Sequence, residues 1–165
     1  MIANQQGGRK MKKGQNPNHP KKGSTIKVQP ITKPKDINSI KKLLSDKPRD
    51  LAIFVLGINT NLRASDILNL KVGQVRYIEP GDDLEIKEQK TGKLRRITLN
   101  KSVVNAIQAW VNTKDFDDDD YLFTGQRGRL TVSYLNALVK KWCKDINLKE
   151  NYGSHSLRKT FGYQQ

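Results

Sequence analysis

Thr60-Asn61-Leu62-Arg63-Ala64-Ser65-Asp66-Ile67-Leu68-Asn69-Leu70 is the stretch on which the fold turns. From Arg63 to Leu70 it reads as a short helix with a polar start and an apolar finish. The run just before it, Leu51 to Ile58, is apolar on all sides, the mark of a helix buried at the centre of a core. Pro48 suits the first turn of that buried helix. An arginine that opens one helix directly after another, buried one projects from a rigid platform. Further upstream, Ile37, Ile40, Leu43 and Leu44 fall on one helical face. Asp36 is placed to cap that first helix, which ends near Ser45.

Downstream the period changes. Val75 and Tyr77, then Leu84 and Ile86, alternate with polar residues across the turn Pro80-Gly81-Asp82-Asp83. Leu94, Ile97 and Leu99 continue the alternation beyond a second turn at Thr91-Gly92, which predicts a small three-stranded antiparallel sheet. Asn100 is placed to cap a helix carrying Val103, Val104, Ile107, Trp110 and Val111. From Thr131, Leu135, Leu138, Val139, Trp142 and Ile146 define another. Ser154 is placed to cap a last one. The fold class expected is mainly α with a three-stranded antiparallel sheet, in one domain, as a length of 165 residues favours.

Lysine and arginine total 31 against 16 acidic residues, a net charge of +15. Self-repulsion of that size opposes a compact state, so a polyanionic partner is expected, with nucleic acid the first candidate. Residues 1–30 hold seven of the cations and no Asp or Glu, which reads as a flexible basic arm before a folded body over 31–165. That body keeps +8 of its own. His19, inside the arm, has no assigned role.

The stretch Asp115 to Asp120 carries five aspartates but lacks the glycine and terminal glutamate of a calcium loop, and reads as a solvated loop. The longest apolar run is far too short to span a bilayer, so no membrane partner is expected. A single cysteine, Cys143, excludes an internal disulfide and a cysteine-rich zinc site. A reducing compartment, the cytoplasm, is expected, with no metal and no cofactor.

Candidate functional cations stand in three separated segments: Arg63, with Asp66 one turn later; Lys90, before the Thr91-Gly92 turn; and His155 with Arg158, three apart at a helix start. Each has an ordinary alternative. Arg63 suits a surface ion pair with Asp66, Lys90 suits edge-strand protection, and His155 suits a capping contact beside an exposed arginine.

The order of these segments resembles the tyrosine recombinase, or phage integrase, family. The stretch Thr60 to Leu70 resembles the family's first arginine box, Lys90-Thr91-Gly92-Lys93 its hairpin lysine, and His155-Ser156-Leu157-Arg158-Lys159-Thr160-Phe161 its HxLR-x-TF box. Tyr121-Leu122-Phe123 matches the family's approach to that last box. The resemblance covers residues 31–165 and implies the catalytic-domain fold of that family.

It also implies metal-free phosphoryl transfer, in which a tyrosine attacks a DNA phosphodiester and becomes linked to the 3′ phosphate. Arg63 and Arg158 would clamp the non-bridging oxygens, Lys90 would protonate the departing 5′ oxygen, and His155 would assist proton transfer or hold the phosphate. Asp66 would orient the first arginine. Lys93, Arg95, Arg127 and Arg129 are assigned to DNA binding. The family's nucleophile lies well beyond the HxLR box, whereas this sequence stops at Gln165, so no nucleophile is expected among its tyrosines and Tyr163 stands too near Arg158 to serve. The partners implied are double-stranded DNA and further recombinase protomers on it. Integration and recombination of DNA is thus the expected function, in a chain unable to cut alone. A non-catalytic DNA-binding remnant or regulator is one alternative, and a basic RNA-binding protein is the other.

Overall fold

The computed structural model describes residues 27–165, so most of the predicted basic arm, with His19, lies outside the described residues. Helix α1 spans Pro34–Leu43 and α2 spans Pro48–Asn59, each with proline in its first turn. Lys33, not Asp36, is the N-cap of α1; Asp36 sits in the first turn, where its charge complements the helix dipole. Every residue of α2 from Ala52 to Ile58 is buried. A helix with no polar side chain over two turns is stable in water only when surrounded, and α2 is the hub on which the rest packs.

Its neighbours are α5 (Lys101–Val111) and α7 (Ser154–Tyr163), with α3 (Ala64–Leu68) following directly in the chain. Helix α6 (Val132–Asp145) packs on α7 and sends Trp142 edge-on to Phe54 of α2, their ring centroids 6.0 Å apart. Helix α6 is capped by Thr131 Oγ1, which accepts from the Tyr134 N–H at 3.1 Å, and the cap of α5 is as the sequence predicts, with Asn100 Oδ1 accepting from the Val103 N–H at 3.0 Å. The cap of α7 is not. Gly153 holds that position, and Ser154 is the first helical residue, its N–H donating to Asn136 Oδ1 at 2.9 Å. A Cβ on Gly153 would come within 2.3 Å of that same oxygen, so the cap position takes glycine and the expected cap serine falls one residue inside the helix.

The predicted three-stranded sheet is replaced by two two-stranded ones. Strands β1 (Asp83–Lys87) and β2 (Leu94–Thr98) pair antiparallel, with Ile86 opposite Arg95, and β3 (Thr124–Gly125) pairs with β4 (Gly128–Arg129). Val75 and Tyr77 form no strand. Val72 and Val75 are both fully buried on the single turn α4 (Val72–Val75), whose start is closed by Gln74 Oε1 accepting from the Lys71 N–H at 2.8 Å. Tyr77 is left 83% exposed. The Pro80–Asp83 turn does form, with Gly81 at φ +94°, but it leads from α4 into β1. The aspartate-rich stretch is pinned beside α4, its Asp118 and Asp120 carbonyls accepting from the Gly73 and Val72 N–H groups at 2.9 Å each.

The approach of α7 to α2 depends on one missing side chain. A Cβ on Gly57 would stand 2.7 Å from Leu157 Cδ1 and 3.0 Å from its Cβ. The second contact cannot be relieved by turning a rotamer, so the helices would have to part. Gly57→Ala should therefore lower the free energy of unfolding by about 1–3 kcal/mol, the usual cost of overpacking, despite the gain in helix propensity. Urea denaturation measures this, and a stability equal to or above that of the parent would contradict it.

Residues 27–31, assigned in part to the arm, lie along α7. The Gln29 N–H donates to Asn151 O at 2.8 Å, Lys159 Nζ to Val28 O at 2.9 Å, and the Ile31 N–H to the buried Thr160 Oγ1 at 2.9 Å. Cys143 is buried, as a core residue should be, and burial together with nearby Asp36 pushes its thiol up to about 12. No helix among the described residues is long and apolar enough to cross a membrane.

Candidate functional site

Arg63 is the N-cap of α3, held in extended conformation (φ −70°, ψ 154°) where the buried α2 ends. Its guanidinium Nη1 donates to Glu88 Oε2 at 3.1 Å, and its side chain stays 24% exposed. Glu88 follows β1 directly and continues the inward alternation of Leu84 and Ile86, so the carboxylate arrives on the buried side of the hairpin. There it meets a second guanidinium: Arg95 Nη1, from β2, donates to Glu88 Oε1 at 3.0 Å and to the Asn61 carbonyl at 2.9 Å. Thr91 Oγ1 completes the shell at 2.8 Å from Glu88 Oε2. The Thr91 hydroxyl, then Arg95 and Arg63, hold the Glu88 carboxyl below the usual carboxylate range against the opposing pull of burial. These bonds are therefore complete above the ordinary carboxylate pKa and are lost only as pH falls through the depressed one.

Arg158 reaches the same place from the other end of the chain. Leu157 seats α7 on Gly57, and the next residue turns its Nε to the side-chain Oδ1 of Asn61 at 2.8 Å. Asn61 thus touches Arg95 with its backbone and Arg158 with its side chain, while Glu88 joins Arg95 to Arg63. Three arginines from α3, β2 and α7 form one connected face.

The structure places the remaining candidates differently. His155, in the first turn of α7 and exposed, is three residues from Arg158 and so on the same side of the helix. Lys90 is exposed in the β1–β2 turn, two residues beyond Glu88. Asp66 does not pair with Arg63. Its Oδ1 accepts from the Gln89 N–H at 2.9 Å, while Oδ2 is buried without a partner among the described residues. Its role is to grip the turn that carries Lys90; Glu88 takes the arginine.

The residues assigned to DNA binding also divide. Lys93 and Arg127 are exposed. Arg95 is built into the arginine cluster, and Arg129 donates to Asn69 Oδ1 and stacks over Tyr121 with 5.0 Å to the ring centroid. Asn69 Nδ2 in turn donates to Gln89 Oε1 at 2.8 Å, so Arg129 braces the Lys90 turn from outside. A carboxylate at an inward position of a strand is a signal the sequence does carry, since a buried charge demands a partner. Asn61 offers no such signal, because its partner lies 97 positions away.

The phage integrase family model matches residues 31–164. The chain belongs to the phage integrase family. Among curated integrases and recombinases, it is 39% identical over 139 residues to "Probable integrase/recombinase YoeC" of Bacillus subtilis (strain 168), covering 82% of this chain and 74% of that protein. It is 31% identical over 140 residues to "Tyrosine recombinase XerA" of Pyrococcus horikoshii, where the match spans 80% of this chain but 47% of the relative. In the solved structures the fold recurs in the XerA recombinase (TM-score 0.67, 22% identity, 83% of this chain, 50% of that one). It recurs also in the XerH site-specific recombinase bound to its difH substrate (TM-score 0.63, 22% identity, 84% and 44%). This integrase-family chain therefore spans about half the length of those solved recombinases, over the part that carries the tyrosine recombinase catalytic-domain fold.

Proposed function

We propose that this chain binds double-stranded DNA through the face formed by Arg63, Arg95 and Arg158, and that the phosphate seated there is the one broken and rejoined in DNA integration and recombination. The observation that carries this reading is the sharing of Glu88 and Asn61, which draws guanidiniums from three distant segments onto one face. Three like charges are not gathered and held partly open to solvent without a use for them, and planar guanidiniums match the paired oxygens of a phosphodiester. Arg63 and Arg158 clamp the non-bridging oxygens as charge grows on them in the transition state. Lys90, on its exposed turn, is the acid for the departing 5′ oxygen. His155, at the open end of α7, serves the attacking side or holds the phosphate. The nucleophilic tyrosine comes from outside residues 1–165, and further protomers assemble on the same DNA.

The direct test is binding to duplex DNA, single-stranded DNA and duplex RNA of one length, each across a salt series. Duplex DNA is expected to bind tightest, and Arg63→Ala and Arg158→Ala should each weaken it several-fold with a shallower salt dependence, by about one released counterion apiece. Duplex RNA binding as tightly as DNA, or both variants behaving as the parent, would remove the support for this reading.

A further inference from the structure

Asn61 occupies a position no functional role has yet explained. It lies in the short link between α2 and α3, half-buried, and its side-chain oxygen accepts from Arg158 Nε at 2.8 Å while its backbone carbonyl accepts from Arg95 Nη1 at 2.9 Å. Nε is the inner edge of a guanidinium; a bond there fixes the plane of the group and leaves the outer nitrogens free. The acceptor is also neutral. Arg63 and Arg95 already share one carboxylate, and a second carboxylate on Arg158 would cancel the charge that a phosphate needs to find. An amide oxygen orients Arg158 without neutralising it.

We infer that Asn61 is a positioning residue for Arg158: it fixes the Nε edge with an uncharged acceptor so that the two outer nitrogens face an incoming phosphate. This rests on the reading of Arg158 as a phosphate ligand. Asn61 touches no substrate itself, and its effect passes through the arginine. Ordering the guanidinium in advance removes a conformational cost that binding would otherwise carry.

The experiment uses residues 1–165 and inorganic phosphate as the probe, with the side-chain Nε–H resonances of the arginines followed by NMR during titration at constant ionic strength. In the parent, the Arg158 Nε–H signal should be protected from solvent exchange and should move with phosphate. Asn61→Ala should abolish that protection and weaken phosphate binding roughly three- to tenfold, the range for the net contribution of one ordinary hydrogen bond, since the lost bond acts on phosphate only through Arg158. Asn61→Asp should keep the protected signal, because the acceptor remains, yet bind phosphate more weakly than Asn61→Ala does, because the new charge competes. A merely structural role would leave Asn61→Asp close to the parent.

Parent-like phosphate affinity in Asn61→Asp overturns the inference, as does an Asn61→Ala protein whose Arg158 signal and affinity are both unchanged. Should Asn61→Ala fail to fold, the aspartate variant still decides the matter. Arg158→Ala separates the two levels. If it binds phosphate as the parent does, the phosphate reading itself falls; if it binds weakly while both Asn61 variants match the parent, only the positioning role falls.

Discussion

Residues 1–165 will leave a nicked duplex substrate without a covalent 3′-phosphotyrosyl adduct, and the same chain extended with a tyrosine-bearing segment from a relative will form one. In that extended protein, Arg158→Ala is expected to lower strand cleavage by about 10²–10³-fold, the usual cost of removing one preorganised donor from a developing oxyanion. The argument starts from the tyrosines. Arginines bind and polarise a phosphate but cannot attack it. Tyr77 stands 83% exposed after α4, the Tyr121 ring carries cation contacts from Lys71 and Arg129, and Tyr134 lies against Arg49. Tyr152 is buried, and burial raises its hydroxyl above the ordinary phenolic value, the wrong direction for a nucleophile. Tyr163 shares α7 with Arg158, but five residues place it roughly 140° around the axis and ~7.5 Å along it. It points to solvent at 61% exposure, whereas Arg158 is turned to Asn61. A denaturing gel shift of labelled DNA reads the adduct directly. One formed by residues 1–165 and mapped to Tyr163 would sink this account.

Phe54→Ala is expected to cost about 3–5 kcal/mol, which for a domain of ordinary stability is a large share of the whole. Phe54 has no exposed surface, lies in the middle of α2 and meets Trp142 edge to face. Its removal opens a void where α2 faces α6, and a seven-residue buried run has no polar neighbour to close it. Thermal unfolding, followed by tryptophan fluorescence because Trp142 lines the void, gives the measurement. A shift of only a few degrees would mean that α2 is not the hub described. Because α2 also carries the platform for Arg63, the variant should lose DNA binding at temperatures where the parent keeps it.

Much of this molecule is legible in its sequence. The apolar run at Leu51–Ile58 announces the central helix, the cap at Asn100 follows from local chemistry, and the three boxes in order name the family. Where the reading failed, the cause is physical. Val75 and Tyr77 alternate like a strand, but Val72 and Val75 also stand three apart, and burial of that pair decides for a single helical turn. Asp66 lies one turn from Arg63 and looks like its partner; the turn of the hairpin claims it instead. Glu88 was readable in principle, as the third inward position after Leu84 and Ile86. The Asn61–Arg158 contact was not, because it exists only once α7 has packed on α2.

That last dependence gives the arginine face a thermodynamic meaning. Asn61 and Arg158 are 97 positions apart, and no part of the chain that ends before α7 can assemble the group. On the proposed reading, the phosphate site is thus a property of the folded state alone, and a ligand that selects one state stabilises it by mass action. Occupied at a concentration 100 times its dissociation constant, such a site adds about 2.7 kcal/mol to the stability of the entire domain. On that reading DNA acts on this protein as a folding partner, favouring chains in which α7 has already packed beside the link between α2 and α3.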